Sequence, residues 1–168
     1  MGVNRMSTDK DKNKGRKGER DFLENIVFKM QRNGEDIDYI KPTYTNELDN
    51  GLDYELKASH NTGERLKAIA ERKEIVPPPS NTKINIRVDH KNYDGKIGKP
   101  IAKKFIDDIQ KNPNDAEHWL TGGHGLTSGA QKVMNQAQEP ARYFSQEDID
   151  AISDYYDNEL ENSVDVED

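Results

Sequence analysis

Two short segments of the chain carry residues whose types and spacing could bind a metal ion and activate water. Asp53 lies in a stretch where polar and apolar residues alternate, residues 52–57, and Asp89 and Lys91 end a second such stretch that starts at Ile84. Residues two apart on a β-strand share a face, so Asp89 and Lys91 would point the same way. If the two strands pair, both carboxylates can hold one cation, while Lys91 orients a water and helps to deprotonate it. The predicted chemistry is phosphodiester cleavage.

The amino-acid composition restricts the kind of metal ion. The 168-residue chain has no cysteine and only four histidines, which are scattered along it. Disulfides, thiolate zinc sites and cysteine nucleophiles are therefore excluded, and an all-histidine site is disfavoured. We expect a hard ion held by oxygen atoms, Mg²⁺ or Mn²⁺. The candidate ligands are Asp53, Asp89 and the backbone carbonyl of His90.

The net charge of −7 is unevenly distributed. Residues 147–168 hold ten acidic residues and no lysine or arginine, whereas the other 146 residues hold 25 basic and 22 acidic ones, about +3. We predict that residues 1–15 form a disordered basic arm able to contact phosphate, and that residues 146–168 form an acidic C-terminal helix and tail. Both segments could equally be solvated ends without a function.

No apolar run approaches the roughly 18 residues of a membrane span, and the N-terminus has no apolar signal core. The sequence therefore predicts a soluble, intracellular protein of the cytoplasm or nucleoid that makes no contact with a membrane.

The spacing of apolar residues predicts alternating helices and strands. A first helix should begin near Gly18 and end at Asn33-Gly34. Residues 60–83, charged and stiffened by three prolines, are predicted to be an insertion between two strands that contains a helix at 64–74. The remaining predicted strands and helices follow in chain order: strands at 37–44, 52–57, 84–89 and 118–121, and helices at 100–110, 128–137 and 146–160. This order implies one main domain, residues 16–145, of the α/β class with a central mixed β-sheet flanked by helices.

Three groups of residues follow one another in the order of motifs known from a nuclease family. They are Gly51-Leu52-Asp53, then Val88-Asp89-His90-Lys91-Asn92-Tyr93 with Ile97-Gly98, then Leu120-Thr121-Gly122-Gly123 with Thr127-Ser128-Gly129-Ala130. Together they resemble the Mrr-like branch of the restriction-endonuclease-like PD-(D/E)xK superfamily. The resemblance covers roughly residues 18–137 and is absent over 58–83, which fits the predicted insertion. It departs from the family pattern before Asp53, where no proline is present.

The resemblance implies a restriction-endonuclease-like fold, Mg²⁺-dependent hydrolysis of DNA as an endonuclease and, often, a homodimer. Holliday-junction resolvases share the fold and the site, so branched DNA is an expected substrate. In these enzymes the first helix commonly supplies a further acidic residue, and Glu19 and Glu24 are the candidates. Glu19 lies on the helical line of Leu23, Ile26 and Met30, so we favour Glu19 as a fourth catalytic and metal-binding residue.

Several alternatives remain open from sequence. Glu55 and Lys57 form a rival motif that would need Asp36 or Asp38 as its partner. Arg87 shares the face of Asp89 and could contact the scissile phosphate or lie on the surface. His124, in a glycine-rich loop, could touch substrate or simply face solvent, and Trp119 is expected in the core.

Two other classes of function also compete with the nuclease. One is a non-catalytic DNA-binding or interaction module of the same fold, against which the three intact residues Asp53, Asp89 and Lys91 argue. The other is an acidic protein that mimics DNA, which the acidic tail suggests but the basic remainder of the chain does not.

Overall fold

The computed structural model of the protein describes residues 21–42, 51–138 and 140–165, apart from the side chains of residues 41–42, 51–53 and 161–165. The predicted basic arm, residues 1–15, lies outside the described residues. In the described part of the chain, no helix is both long enough and apolar enough to cross a membrane.

Five strands in the described residues form one mixed sheet. They are β1 (Asp38–Pro42), β2 (Gly51–Ser59), β3 (Lys83–Lys91), β4 (Glu117–Gly122) and β5 (Ala141–Phe144). The strands are arranged in chain order across the sheet. The pairs β1–β2 and β2–β3 are antiparallel, whereas the pairs β3–β4 and β4–β5 are parallel. A parallel pair needs a crossover connection, and a helix supplies it between β3 and β4 and again between β4 and β5. The predicted α/β fold with a central mixed sheet is confirmed.

Helices cover both faces of the sheet. The first, α1, has a π-helical part (Leu23–Val27) that continues into an α-helical part (Phe28–Arg32). The others are α2 (Thr62–Ala70), α3 (Lys99–Ile109), α4 (Ser128–Gln136) and α5 (Gln146–Asp165). All four later helices coincide closely with predicted ones, although α2 ends earlier than expected, before Arg72 at φ +55°.

The larger core lies between one face of the sheet and helices α1, α2 and α5. Its strand residues alternate along β2 and β3, as Tyr54 and Leu56 do, and it includes Trp119, which is fully buried as expected. Helix α2 contributes Leu66 and Ile69, so part of the predicted insertion belongs to this core. Helix α5 docks here through an apolar stripe of three buried residues: Ile149, Ile152 and Tyr156.

A smaller core lies on the opposite face, beneath α3 and α4. Its buried members are Ile97, Phe105, Ile109 and Leu120. Leu120 neighbours Trp119 in sequence and points to the other side of the sheet, as strand alternation requires. This second face is the one that carries Asp89 and Lys91.

Candidate active site

The pairing of β2 with β3 brings the backbone of the predicted residues together. Asp53 lies directly opposite Asp89 in the antiparallel register, Gly51 lies opposite Lys91, and Glu55 lies opposite Arg87. Directly opposed residues of an antiparallel pair share a face of the sheet. The strand pairing that the sequence argument assumed is present in the structure. The side chain of Asp53 lies outside the described residues.

Asp89 and Lys91 lie on the face that α3 covers, while Val88 and His90 point into the larger core. Both charged side chains are nevertheless buried, with Asp89 3% and Lys91 2% exposed. Removing charges from water is costly unless they are paired. Two charged residues therefore occupy buried positions of β3 at which apolar residues are usual.

Lys91 and Asp89 form an ion pair at the end of β3. Lys91 Nζ lies 3.0 Å from Asp89 Oδ1, and no further hydrogen bond to this oxygen is present among the described residues. A carboxylate oxygen has two lone pairs, so one with a single partner can still coordinate a cation. This oxygen is the observation in the structure that fits a metal ligand.

Arg87 is the charged neighbour of Asp89 on the same face, two residues earlier in β3. It is fully buried, with Nη1 4.0 Å from Asp89 Oδ2. Its Nε donates a hydrogen bond of 2.9 Å to Nδ1 of His118, and its guanidinium group lies 5.1 Å from the centre of the Phe105 ring. Of the two alternatives left open from sequence, the one in which Arg87 lies on the surface is wrong, because α3 covers this part of the sheet.

His118 serves as an acceptor for Arg87 and must therefore be neutral at Nδ1. Burial, with a smaller contribution from the positive charge of Arg87, lowers the pKa of His118 to about 4. At neutral pH the imidazole is uncharged, so the hydrogen bond from Arg87 is maintained.

A carboxyl pair extends the site along the sheet. Glu55 is half-buried and Asp115, just before β4, is buried. Burial, a hydrogen bond with Glu55 and the negative charge of Glu55 raise the pKa of Asp115 to about 7, against a smaller lowering effect of Arg87. The raised pKa of Asp115 fits the general rule that two like charges in contact cannot both ionise easily.

The residue between Asp89 and Lys91 is anchored on the opposite face. His90 is buried, its Nδ1 lies 2.8 Å from Thr121 Oγ1, and its ring packs 6.5 Å from that of Phe22. Burial lowers the pKa of His90 to about 4, so the ring is neutral. This anchoring fixes the backbone of β3 between the two charged residues. The role of the His90 carbonyl as a ligand stays a prediction.

The glycine-rich loop after β4 is held against the loop that follows β3. The amide of His124 donates to the carbonyl of Gly95, and the amide of Ile97 donates to that of Gly125, each over 2.9 Å. The His124 side chain is exposed, and its Nδ1 lies 2.5 Å from Glu147 Oε1. The loop therefore frames the end of β3, while His124 faces solvent and a neighbouring acid.

The carboxylates that the rival motif of Glu55 and Lys57 would need as partners, Asp36 and Asp38, pair with a different lysine. Lys57 is exposed and lies opposite Asp38 in the register of β1 and β2. Asp36 and Asp38 are exposed and lie 2.5 and 3.7 Å from Lys83 Nζ. Unlike Asp89 and Lys91, these carboxylates form solvated ion pairs, which contribute little to stability.

The two candidate acids of the first helix are Glu19 and Glu24. Glu19 lies outside the described residues, so its role stays a prediction. Glu24 is exposed and lines a surface pocket with Phe28, Gln31 and Arg32, away from Asp89. This placement agrees with the helical-wheel argument that Glu24 points away from the sheet.

A hard divalent cation fits the donor types of the site. Asp89 supplies a buried carboxylate oxygen whose contact among the described residues is the ion pair with Lys91, and the register places a second carboxylate residue, Asp53, opposite it. No group of three or more acidic or histidine side chains that could enclose a metal is present in the described residues. Mg²⁺ does not require one, because it typically binds through one or two carboxylates and keeps several waters.

Sequence reasoning missed the contacts of Arg87 with His118 and of Glu55 with Asp115. Strand alternation does put Arg87 and Glu55 on the face of Asp89. However, the contacts join residues 31 or more positions apart, and nothing in the local pattern indicates which distant residue covers that face.

Comparisons with known proteins do not identify the function of this chain. No family model matches the chain, and no curated protein matches it in sequence. A solved structure of the "DNA modification-dependent restriction endonuclease AspBHI" is similar over 94% of this chain, with a TM-score of 0.41 and 14% sequence identity. This chain spans 40% of that protein's chain. A similarity of this size says nothing about activity, so function must be inferred from the side chains on the sheet.

Proposed function

We propose that this protein is a metal-dependent endonuclease that hydrolyses phosphodiester bonds in DNA. The observation that carries the proposal is the buried pair of Asp89 and Lys91, 3.0 Å apart, on a strand whose register sets Asp53 opposite Asp89. Two strand carboxylates and an adjacent lysine are the groups that metal-assisted phosphodiester hydrolysis needs.

The proposed ligands are Asp53, Asp89 and the backbone carbonyl of His90, with Glu19 as a further candidate. A bound Mg²⁺ or Mn²⁺ would polarise the phosphate and lower the pKa of a bound water. Asp89 holds its position through the cations on either side of it. Lys91, released from Asp89 Oδ1, can donate a hydrogen bond to the attacking water or to a phosphate oxygen and stabilise the negative charge that develops there.

Branched DNA is the substrate class we favour. The preference rests on the sequence resemblance to a nuclease branch whose fold and site are shared with Holliday-junction resolvases. A four-way junction is symmetric, so its resolution would take two copies of the chain. Light scattering with and without a junction would measure whether a homodimer forms.

The test is cleavage by the full chain of a labelled four-way junction, a flap and a linear duplex, each with Mg²⁺ or EDTA. We expect Mg²⁺-dependent cutting that Lys91→Ala lowers by about 100-fold or more. Lys111→Ala is the matched control, because that lysine is 77% exposed beyond the far end of α3.

Each other result has a definite meaning. Equal cutting by the wild type and by Lys91→Ala would show a contaminating nuclease and refute the proposal. Binding of every DNA without cutting would favour the non-catalytic module. Loss of Mn²⁺ binding in Glu55→Gln but not in Asp53→Asn would move the metal site to the rival motif.

A further inference from the structure

Arg87 is a permanently charged residue buried beside the proposed metal ligand. Its side chain is 0% exposed, and an arginine keeps its proton at any ordinary pH. Burying such a group is costly, and an apolar residue at this position would pack against Phe105 at lower cost. The position of the charge therefore needs an explanation other than stability.

Two sets of contacts, neither of them with Asp89, hold the guanidinium group of Arg87 in place. Its Nε donates to Nδ1 of His118 in β4 over 2.9 Å. On the helix side, it lies 5.1 Å from the centre of the Phe105 ring, and Nη2 lies 3.5 Å from the Phe105 carbonyl oxygen. Because His118 belongs to the neighbouring strand and Phe105 to α3, both anchors are rigid, and Nη1 has a fixed position.

The two oxygens of Asp89 face different cations. Oδ2 lies 4.0 Å from Arg87 Nη1, and Oδ1 lies 3.0 Å from Lys91 Nζ. The Arg87 distance is too long for a hydrogen bond but is an effective charge contact in a buried site. The two contacts together fix the plane of the Asp89 carboxylate. The contact of Oδ1 would be lost when Lys91 turns to water or phosphate, and the contact of Oδ2 with Arg87 would remain.

We propose that Arg87 is a positioning residue that keeps the Asp89 carboxylate in one orientation while Lys91 leaves it for the reaction. The inference rests on the proposed nuclease function. It concerns geometry as well as charge, because the anchored guanidinium group of Arg87 defines where Oδ2 lies and hence the direction in which Oδ1 faces.

The kinetic test compares Arg87→Met and Arg87→Lys with the wild type on the DNA that the wild type cuts. We expect Arg87→Met to lower kcat by 10- to 100-fold with little change in KM, as when an outer partner of a metal ligand is removed. Arg87→Lys keeps the charge but cannot donate to His118 and reach Asp89 with a planar fork, so kcat should stay at least about five-fold low. An unchanged kcat in Arg87→Met, or full rescue in Arg87→Lys, would overturn the inference.

Arg142→Met is the matched control for loss of a partly buried ion pair. Arg142 Nε lies 2.5 Å from Glu117 Oε1 in the same sheet, away from Asp89. This variant should lose stability and keep the wild-type kcat. If Arg87→Met does not fold, His118→Leu removes the 2.9 Å anchor while leaving Arg87 in place, and its kcat should also fall.

A spectroscopic readout separates this inference from activity. With Mn²⁺ as the probe, the wild type should give an electron paramagnetic resonance spectrum of one ordered site, and Arg87→Met a broadened spectrum from several carboxylate orientations. Identical spectra would contradict the positioning role. Failure of the wild type both to bind Mn²⁺ and to cut DNA would instead refute the proposed nuclease.

Discussion

Gly122 lies against the backbone of Lys91, so closely that a Cβ atom at Gly122 would overlap the Lys91 carbonyl oxygen. The two residues are partners in the parallel pairing of β3 and β4. Gly122 also has a φ of +97°, which side chains rarely adopt. Strand β4 can therefore pass this close to the end of β3, and fix Lys91, only because residue 122 is glycine.

Gly122→Ala should destabilise the protein strongly, because a backbone clash adds to backbone strain. We expect a loss of more than about 3 kcal/mol in the free energy of unfolding, measured by urea denaturation. Gly125→Ala is the matched control in the same loop, with φ +107° but no atom within 4 Å of the added Cβ. It should cost only the strain, about 1–2 kcal/mol. Equal losses in the two variants would show that the contact with Lys91 has no energetic effect.

Asp89→Asn should cost far more stability than loss of an exposed acid. The substitution leaves the buried cations of Arg87 and Lys91 without this carboxylate, which typically costs about 3–5 kcal/mol. The control is Asp157→Asn, since Asp157 is 52% exposed in its 2.7 Å pair with Lys29, and such pairs contribute less than about 1 kcal/mol. Urea unfolding in EDTA measures both. A loss below about 1 kcal/mol in Asp89→Asn would mean that the two cations are adequately compensated by other groups.

The sequence predicted the two strands β2 and β3 better than the groups that surround them. Alternation around Asp53, Asp89 and Lys91 is a local property, so it indicates the strands themselves, whereas their pairing was an assumption that the structure bears out. The burial of Arg87 was not predictable in this way, because alternation defines a face but not the helix that covers it. The sequence did not predict strand β5, because its four residues, three of them only half-buried, are too few to show a clear alternation of apolar and polar residues.

The meeting of Glu55 with Asp115 depends on the strand order of the whole sheet. The two residues lie 60 positions apart in the sequence, on opposite sides of β3 in the chain order of the sheet. No local spacing encodes such a contact, so only the assembled fold reveals the raised pKa of Asp115. The same reasoning applies to His118, whose neutral state follows from its neighbour Arg87 and from burial rather than from its own sequence context.

Asp115→Asn should remove a loss of stability that the wild type suffers as pH rises through about 7. The folded protein holds the Asp115 proton up to a pKa of about 7, whereas an unfolded chain releases it near 4. The folded state therefore binds more protons between these values, and this contribution to stability is lost as pH rises through 7. Between pH 6 and pH 8.5, the wild type should lose more unfolding free energy than Asp115→Asn in urea titrations. Asp107→Asn, an exposed site on α3, should behave like the wild type.

His118→Gln should remove part of the instability of the protein in mild acid. The folded-state pKa of His118 is about 4, below the value near 6.5 of an unfolded histidine. The unfolded chain therefore binds more protons between pH 6.5 and pH 4, so stability falls as pH falls through this window. For this one residue the loss from pH 7 to pH 5 is about 2 kcal/mol. Glutamine keeps an oxygen that can accept from Arg87 Nε but does not titrate, so the variant should lose about 2 kcal/mol less than the wild type over that range. Parallel pH profiles of the two proteins in urea would show that His118 is already protonated, or not buried, in the folded state.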